Sequence, residues 1–96
     1  MSVIDVITNS NIYLTEIKKC VNLYNYCEDK TTIYNHLVQK IYQLQDGDVI
    51  SGFANSDINE NSSLDDLKVE LLKLYDIYTK EFLQVVSQYN NESLVA

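Results

Sequence analysis

The sequence predicts an all-α chain: an antiparallel helical hairpin or three-helix bundle with coiled-coil-like packing and a long acidic loop. Three observations predict it. Apolar residues recur at steps of three and four over most of the chain, which is the helical period. Proline, which breaks helices by removing an amide donor, is absent. Both glycines lie between Gly47 and Gly52, so the strongest interruption falls in one place. The 96 residues are expected to form one domain, 1–96, with helices at about 2–27, 31–45 and 63–89 and the acidic loop at 46–62. A domain this small hides only about 60–65% of its unfolded surface, so a partner that covers apolar groups would add stability.

The first helix is carried by a seven-residue repeat. Val3, Ser10, Ile17 and Tyr24 form one row; Val6, Tyr13, Cys20 and Cys27 form the next; Ile7, Leu14 and Val21 lie beside them. Ser2 followed by Asp5 has the pattern of an N-terminal cap. Asn9-Ser10-Asn11 is a weak point because all three have poor helix propensity, so a start near Ser10 is the alternative. The polar run Glu28–Thr32 then interrupts the stripe, and Asp29 or Thr31 is placed to cap a second helix. Ile33, Leu37 and Ile41 step by four along that helix, flanked by Tyr34, Val38 and Tyr42. With neither glycine nor proline between them, fusion of the two helices into one bent rod stays open. Asp46-Gly47 is expected to stop the second helix, with glycine taking the left-handed cap.

Residues 46–62 are expected to be a loop holding a small apolar knot of Val49, Ile50, Phe53 and Ala54. A loop of that length in a compact domain is either functional or disordered. Ser62 or Ser63 should cap the last helix. Its stripe runs through Leu64, Leu67, Leu71, Tyr75, Tyr78, Phe82, Val85 and Tyr89, widened by Leu72, Leu74, Leu83 and Val86.

Charge is unevenly placed. The chain carries 14 acidic side chains and 7 basic ones, all lysine, for a net charge of −7. Residues 1–45 balance, while Asp46, Asp48, Asp57, Glu60, Asp65 and Asp66 face no lysine within their own segment. The absence of arginine, which grips phosphate bidentately, together with the acidic balance, argues against direct nucleic-acid binding. No apolar run approaches the roughly 18–20 residues that a membrane span needs. No basic stretch followed by an apolar core opens the chain, so an intracellular protein, cytoplasmic or nuclear, is expected. The triplets Asn61-Ser62-Ser63 and Asn91-Glu92-Ser93 are read as chance matches to a glycosylation signal.

Tests for chemistry come back empty. Asp57, Asn59 and Asn61 occupy positions 1, 3 and 5 of a calcium-loop pattern, but Ser62 replaces its glycine and Lys68 its bidentate glutamate. An Asx- and Ser-rich loop ending in a helix cap is the expected reading. Cys20 and Cys27 are two turns apart, about 10 Å at 1.5 Å per residue, which is too far for a disulfide between them. They are expected to be small core residues, as buried thiols in a reducing compartment are. His36, the one histidine, has no partner or nucleophile to nominate. No catalytic, metal or cofactor-binding residue is proposed, and an enzyme is not expected.

The expected function is therefore that of a small acidic protein–protein interaction module, a subunit or adaptor in a larger complex. The alternative is an acidic inhibitor or immunity-type protein that blocks a basic site on an enzyme or toxin, as a nucleic-acid mimic would. The candidate partner-binding residues are Tyr26, Asp46, Asp48, Phe53, Asp57, Glu60, Asp65 and Asp66. A homo-oligomer is compatible with the same apolar stripes. No family resemblance is assigned. ESAT-6-like helical proteins share the size but carry Trp-x-Gly at their turn, where this chain has Ser51-Gly52-Phe53 and no tryptophan. Bacteriocin-immunity proteins share the size without a matching motif.

Overall fold

The computed structural model describes residues 3–95 of the backbone and the side chains of residues 7–88. The expected Ser2 cap and the side chains of Val3, Val6 and Tyr89 lie outside the described residues. Within them the chain is all-helical: α1 (Val3–Tyr26), α2 (Lys30–Gln43), α3 (Gly47–Ala54) and α4 (Leu64–Val95). No strand occurs among the described residues.

Helix α1 runs unbroken through Asn9-Ser10-Asn11, so the repeat on its apolar face outweighs the poor local propensity. Helices α1 and α2 are separate. Asp29 adopts an extended conformation between them, and its carboxylate accepts hydrogen bonds from the Thr31 amide and the Thr32 hydroxyl. The Thr32 hydroxyl, followed by the Thr31 amide, holds the Asp29 carboxyl below its ordinary value. Ser63 rather than Ser62 caps α4, accepting from the Asp66 amide at 3.1 Å.

The structure corrects two expectations, both in residues 44–62. This segment is not a loop throughout, because residues 47–54 form α3. Val49, Ile50 and Phe53 carry the helical spacing and pack against the core from α3. Eight residues with two glycines have little helix tendency alone, so their docking holds the helix. Nor does Gly47 cap α2. Gln45 takes the left-handed backbone (φ 54), and Asp46 instead opens α3 by accepting from the Asp48 and Val49 amides. A side-chain oxygen two and three residues before amide donors favours starting a helix, and that overrides the glycine signal.

Helices α1 and α4 are antiparallel neighbours. Tyr13 packs on Tyr78 with ring centroids 6.1 Å apart, and Lys68 sits 5.8 Å from the Tyr24 ring centroid. Residues ascending α1 thus meet residues descending α4. Helix α2 lies over this pair, and α3 packs against α2. The shared core is Cys20 from α1, Ile33, Leu37 and Ile41 from α2, and Leu67, Leu71, Leu74 and Tyr78 from α4. The radius of gyration is 15.2 Å, against about 12.5 Å for a compact chain of this length. The excess follows from α4, whose 32 residues span about 48 Å at 1.5 Å per residue.

Candidate functional site

Three features of the surface and interior bear on function: the acidic segment, a buried polar centre and an uncovered groove.

The acids that adjoin in sequence are drawn out in space. Asp65 and Asp66 occupy the first turn of α4, where the positive end of the helix favours them. Asp46 shares a cavity of about 190 Å³ with Ile77, Tyr78 and Glu81. Ile77 is 12 residues beyond Asp65 on α4, about 18 Å along the axis. Asp48 sits in the first turn of α3, facing Glu70 and Lys73 across a second cavity. Asp57 and Glu60 are exposed in the connector before α4. Phe53 is half-buried against the core rather than free on the surface. Tyr26 is 82% exposed at the last residue of α1, at the end of the molecule that holds the start of α4. The eight candidate residues are therefore drawn out along the molecule and do not converge on a point.

The connector's own oxygens are engaged in turn geometry. Asn59 Oδ1 accepts from the Asn61 amide at 2.7 Å, and Ser62 Oγ accepts from the Asn59 amide at 2.9 Å. The first is the Asx turn expected of such a sequence, and the second closes the connector back on itself. Among the described residues, no three His, Cys, Asp or Glu side chains group closely enough to hold a metal.

The buried polar centre was missed in the sequence. Glu16 of α1 and Lys40 of α2 form an ion pair at 3.0 Å, with side chains only 8% and 9% exposed. Lys40 Nζ also donates to Gln43 Oε1 at 3.2 Å, and the Tyr78 hydroxyl donates to the Lys40 carbonyl at 3.4 Å. A signal existed. Glu16 stands three residues after Tyr13 and four before Cys20, and Lys40 three after Leu37, so both fall on apolar stripes. Equal numbers of acids and lysines in residues 1–45 hid the pair. His36 is half-buried, with Nε2 out of solvent. Burial lowers its pKa from the ordinary 6.5; Glu16 opposes this, while Lys40 and Lys19 add to it. Both cysteines are free: Cys20 is buried and Cys27 half-buried.

Burial sets the chemistry of two neighbours. It pushes the Cys20 thiol up to about 11, with Glu16 adding to the rise and Lys40 opposing it. Burial, then Glu16, pushes the Tyr78 phenol up to about 12. Cys20 is thus an inert core thiol and not a nucleophile. For both groups the folded state binds the proton more tightly than the unfolded chain. Their contribution is therefore complete below the ordinary values of 9.0 and 10.0, and is lost as pH rises through the folded ones. Urea titrations from about pH 8 upward, above the range in which His36 and Asp29 titrate, should show constant stability to about pH 9 and then a decline that Tyr78→Phe reduces. An unchanged midpoint across that window would mean that the thiol and phenol ionise freely in the folded chain.

The third feature is a groove between α1 and α4 on the side away from α3. Val21 and Tyr24 of α1 and Leu72 and Tyr75 of α4 line it, enclosing about 100 Å³ with Cys20 at its floor. These four apolar side chains are 37–48% exposed. The sequence placed Tyr75 in the core line of α4, but the buried line runs Leu67, Leu71, Leu74, Tyr78 and Val85. Helix α2 lies to one side of the α1/α4 pair and takes Leu74; Tyr75, one residue on, faces the other side. No helix among the described residues is long and apolar enough to cross a membrane. No family model, curated protein or solved structure matches the chain.

Proposed function

We propose that the protein is a small acidic interaction module, an antiparallel helical bundle with one face left open for a protein partner. The observation that carries this reading is the groove in which Val21, Tyr24, Leu72 and Tyr75 share a cavity while each keeps more than a third of its surface in water. Scattered exposed apolar groups are ordinary, whereas grouped ones with two tyrosines have the make-up of a contact surface. Ile7, Val69 and Leu83, each more than half exposed, add apolar surface on the same two helices.

One observation favours the inhibitor reading. Among the described residues the lysine ion pairs go to Glu16, Glu70 and Asp76, and none reaches the acids of residues 46–66. Those acids are free to meet a basic surface. The two readings separate in a capture experiment from the native host with two variants. Val21→Lys/Leu72→Lys blocks the groove; the second variant changes all six acids of residues 46–66 to their amides. The module reading expects the groove variant to lose its partner and the amide variant to keep it, with little dependence on salt. The reverse pattern, with capture falling steeply as salt rises, would replace it with the inhibitor reading.

A further inference from the structure

Where α2 stops, residues of α1, α2 and α4 surround the cavity of about 190 Å³. From its walls we infer that this cavity is a binding site for an alkylammonium group, a protonated primary amine on a short aliphatic stem. The site lies beyond the interaction reading and does not involve the groove of Val21 and Leu72.

Charge is the first ground. Three carboxylates line the cavity and no lysine does: Glu16 from α1, Asp46 from the turn between α2 and α3, and Glu81 from α4. Lys40 offsets one of the three through its pair with Glu16, and among the described residues no lysine pairs with Asp46 or Glu81. The α3 cap occupies only Oδ1 of Asp46. Glu16 is itself incompletely served. Lys40 reaches its Oε1 at 3.0 Å, while Oε2 is buried without a hydrogen-bond partner on a side chain only 8% exposed. A buried carboxylate needs both its charge and its lone pairs answered. Gln43, the last residue of α2, also lines the cavity, so the negative end of that helix dipole adds to the field.

The apolar walls are the second ground, and they select an organic cation. The rings of Tyr13 and Tyr78, 6.1 Å apart between centroids, both line the cavity, and aromatic faces attract cations within about 6 Å. Ile12, Leu44 and Ile77 offer aliphatic surface to a methylene stem. An apolar cavity of about 150 Å³ holds a benzene, so this one takes an amine of about five to seven heavy atoms. A bare metal ion suits it less. Among the described residues no three His, Cys, Asp or Glu side chains come close enough to hold one. Carboxylates spread over three elements suit a cation with a body of its own.

A free alkylamine and a lysine side chain of a partner protein offer the same chemistry, and the test separates them. The intact, isotopically labelled chain is titrated with n-butylammonium and followed by its amide NMR shifts. Butan-1-ol serves as the neutral isostere and Nα-acetyl-lysine N-methylamide as the lysine probe. Butylammonium is expected to shift amides around Tyr13, Gln43 and Tyr78 saturably, with a roughly millimolar dissociation constant, the scale for about five heavy atoms. Butan-1-ol is expected not to saturate. Asp46→Asn and Glu81→Gln preserve side-chain shape, and asparagine still caps a helix. Each is expected to weaken amine binding about 1.5–5-fold, the range of one exposed ion pair. A lysine probe that binds at least as well as butylammonium assigns the site to a partner's lysine; one that binds more weakly assigns it to a free amine. The inference is overturned if the alcohol binds as tightly as the amine. It is equally overturned if the amine's shifts fall elsewhere or do not saturate, or if both variants bind it as the wild type does. If Asp46→Asn disturbs α3, Glu81→Gln alone is judged by the same criteria.

Discussion

Leu71→Ala is expected to lower the unfolding free energy by about 2–5 kcal/mol, a large part of what a chain of this size has. Leu71 has no exposed surface and lies in the middle of the buried line of α4, between Leu67 and Leu74. Truncation removes the apolar transfer energy of the side chain and leaves a cavity, because α1 and α2 are held by other contacts and close only partly. At about 0.05–0.15 kcal/mol per residue the whole margin is about 5–14 kcal/mol, so one such loss is readily measured. Leu72→Ala, one residue away and half exposed, should cost under about 1 kcal/mol in the monomer. Urea unfolding followed by circular dichroism at 222 nm, the α-helical band, measures both. Equal losses at the two positions would contradict the placement of α2 over Leu71 and its absence over Leu72.

Lys40→Met should destabilise the chain by about 3–5 kcal/mol, although it replaces a charge with an apolar group. The cause is the residue left behind. Glu16 is 8% exposed and would keep a carboxylate out of water without its cation. The double change Glu16→Leu/Lys40→Met should recover most of the loss, since packed apolar groups commonly replace a buried ion pair at no net cost. The diagnostic quantity is the coupling in a double-mutant cycle. If the two single changes add, Glu16 and Lys40 do not depend on each other.

Much of the architecture can be read from the residues. The seven-residue rows in α1, the four-residue steps of Ile33, Leu37 and Ile41, and the leucines of α4 each specify a helix through local periodicity. Two caps were legible as one of a pair of candidates, Asp29 beside Thr31 and Ser63 beside Ser62, since each acts within three residues of itself; the glycine cap expected at Gly47 was not formed. Helix α3 was not legible. Its two glycines weaken local propensity, and what holds it is the packing of Val49, Ile50 and Phe53 onto a core built jointly by α2 and α4, which its own eight residues do not specify.

The sequence by itself determined that α1, α2 and α4 are helical, that each carries an apolar face, and where the negative charge is concentrated. All three depend on spacing and side-chain type within a few turns. Only the tertiary structure decided which of those apolar faces is covered. It set Leu74 inward and Tyr75 outward, brought Glu16 onto Lys40, and spread the acids along the molecule instead of a patch. A helical period states that a face must be buried, but the side of a helix pair that α2 takes is fixed by how three rods pack together.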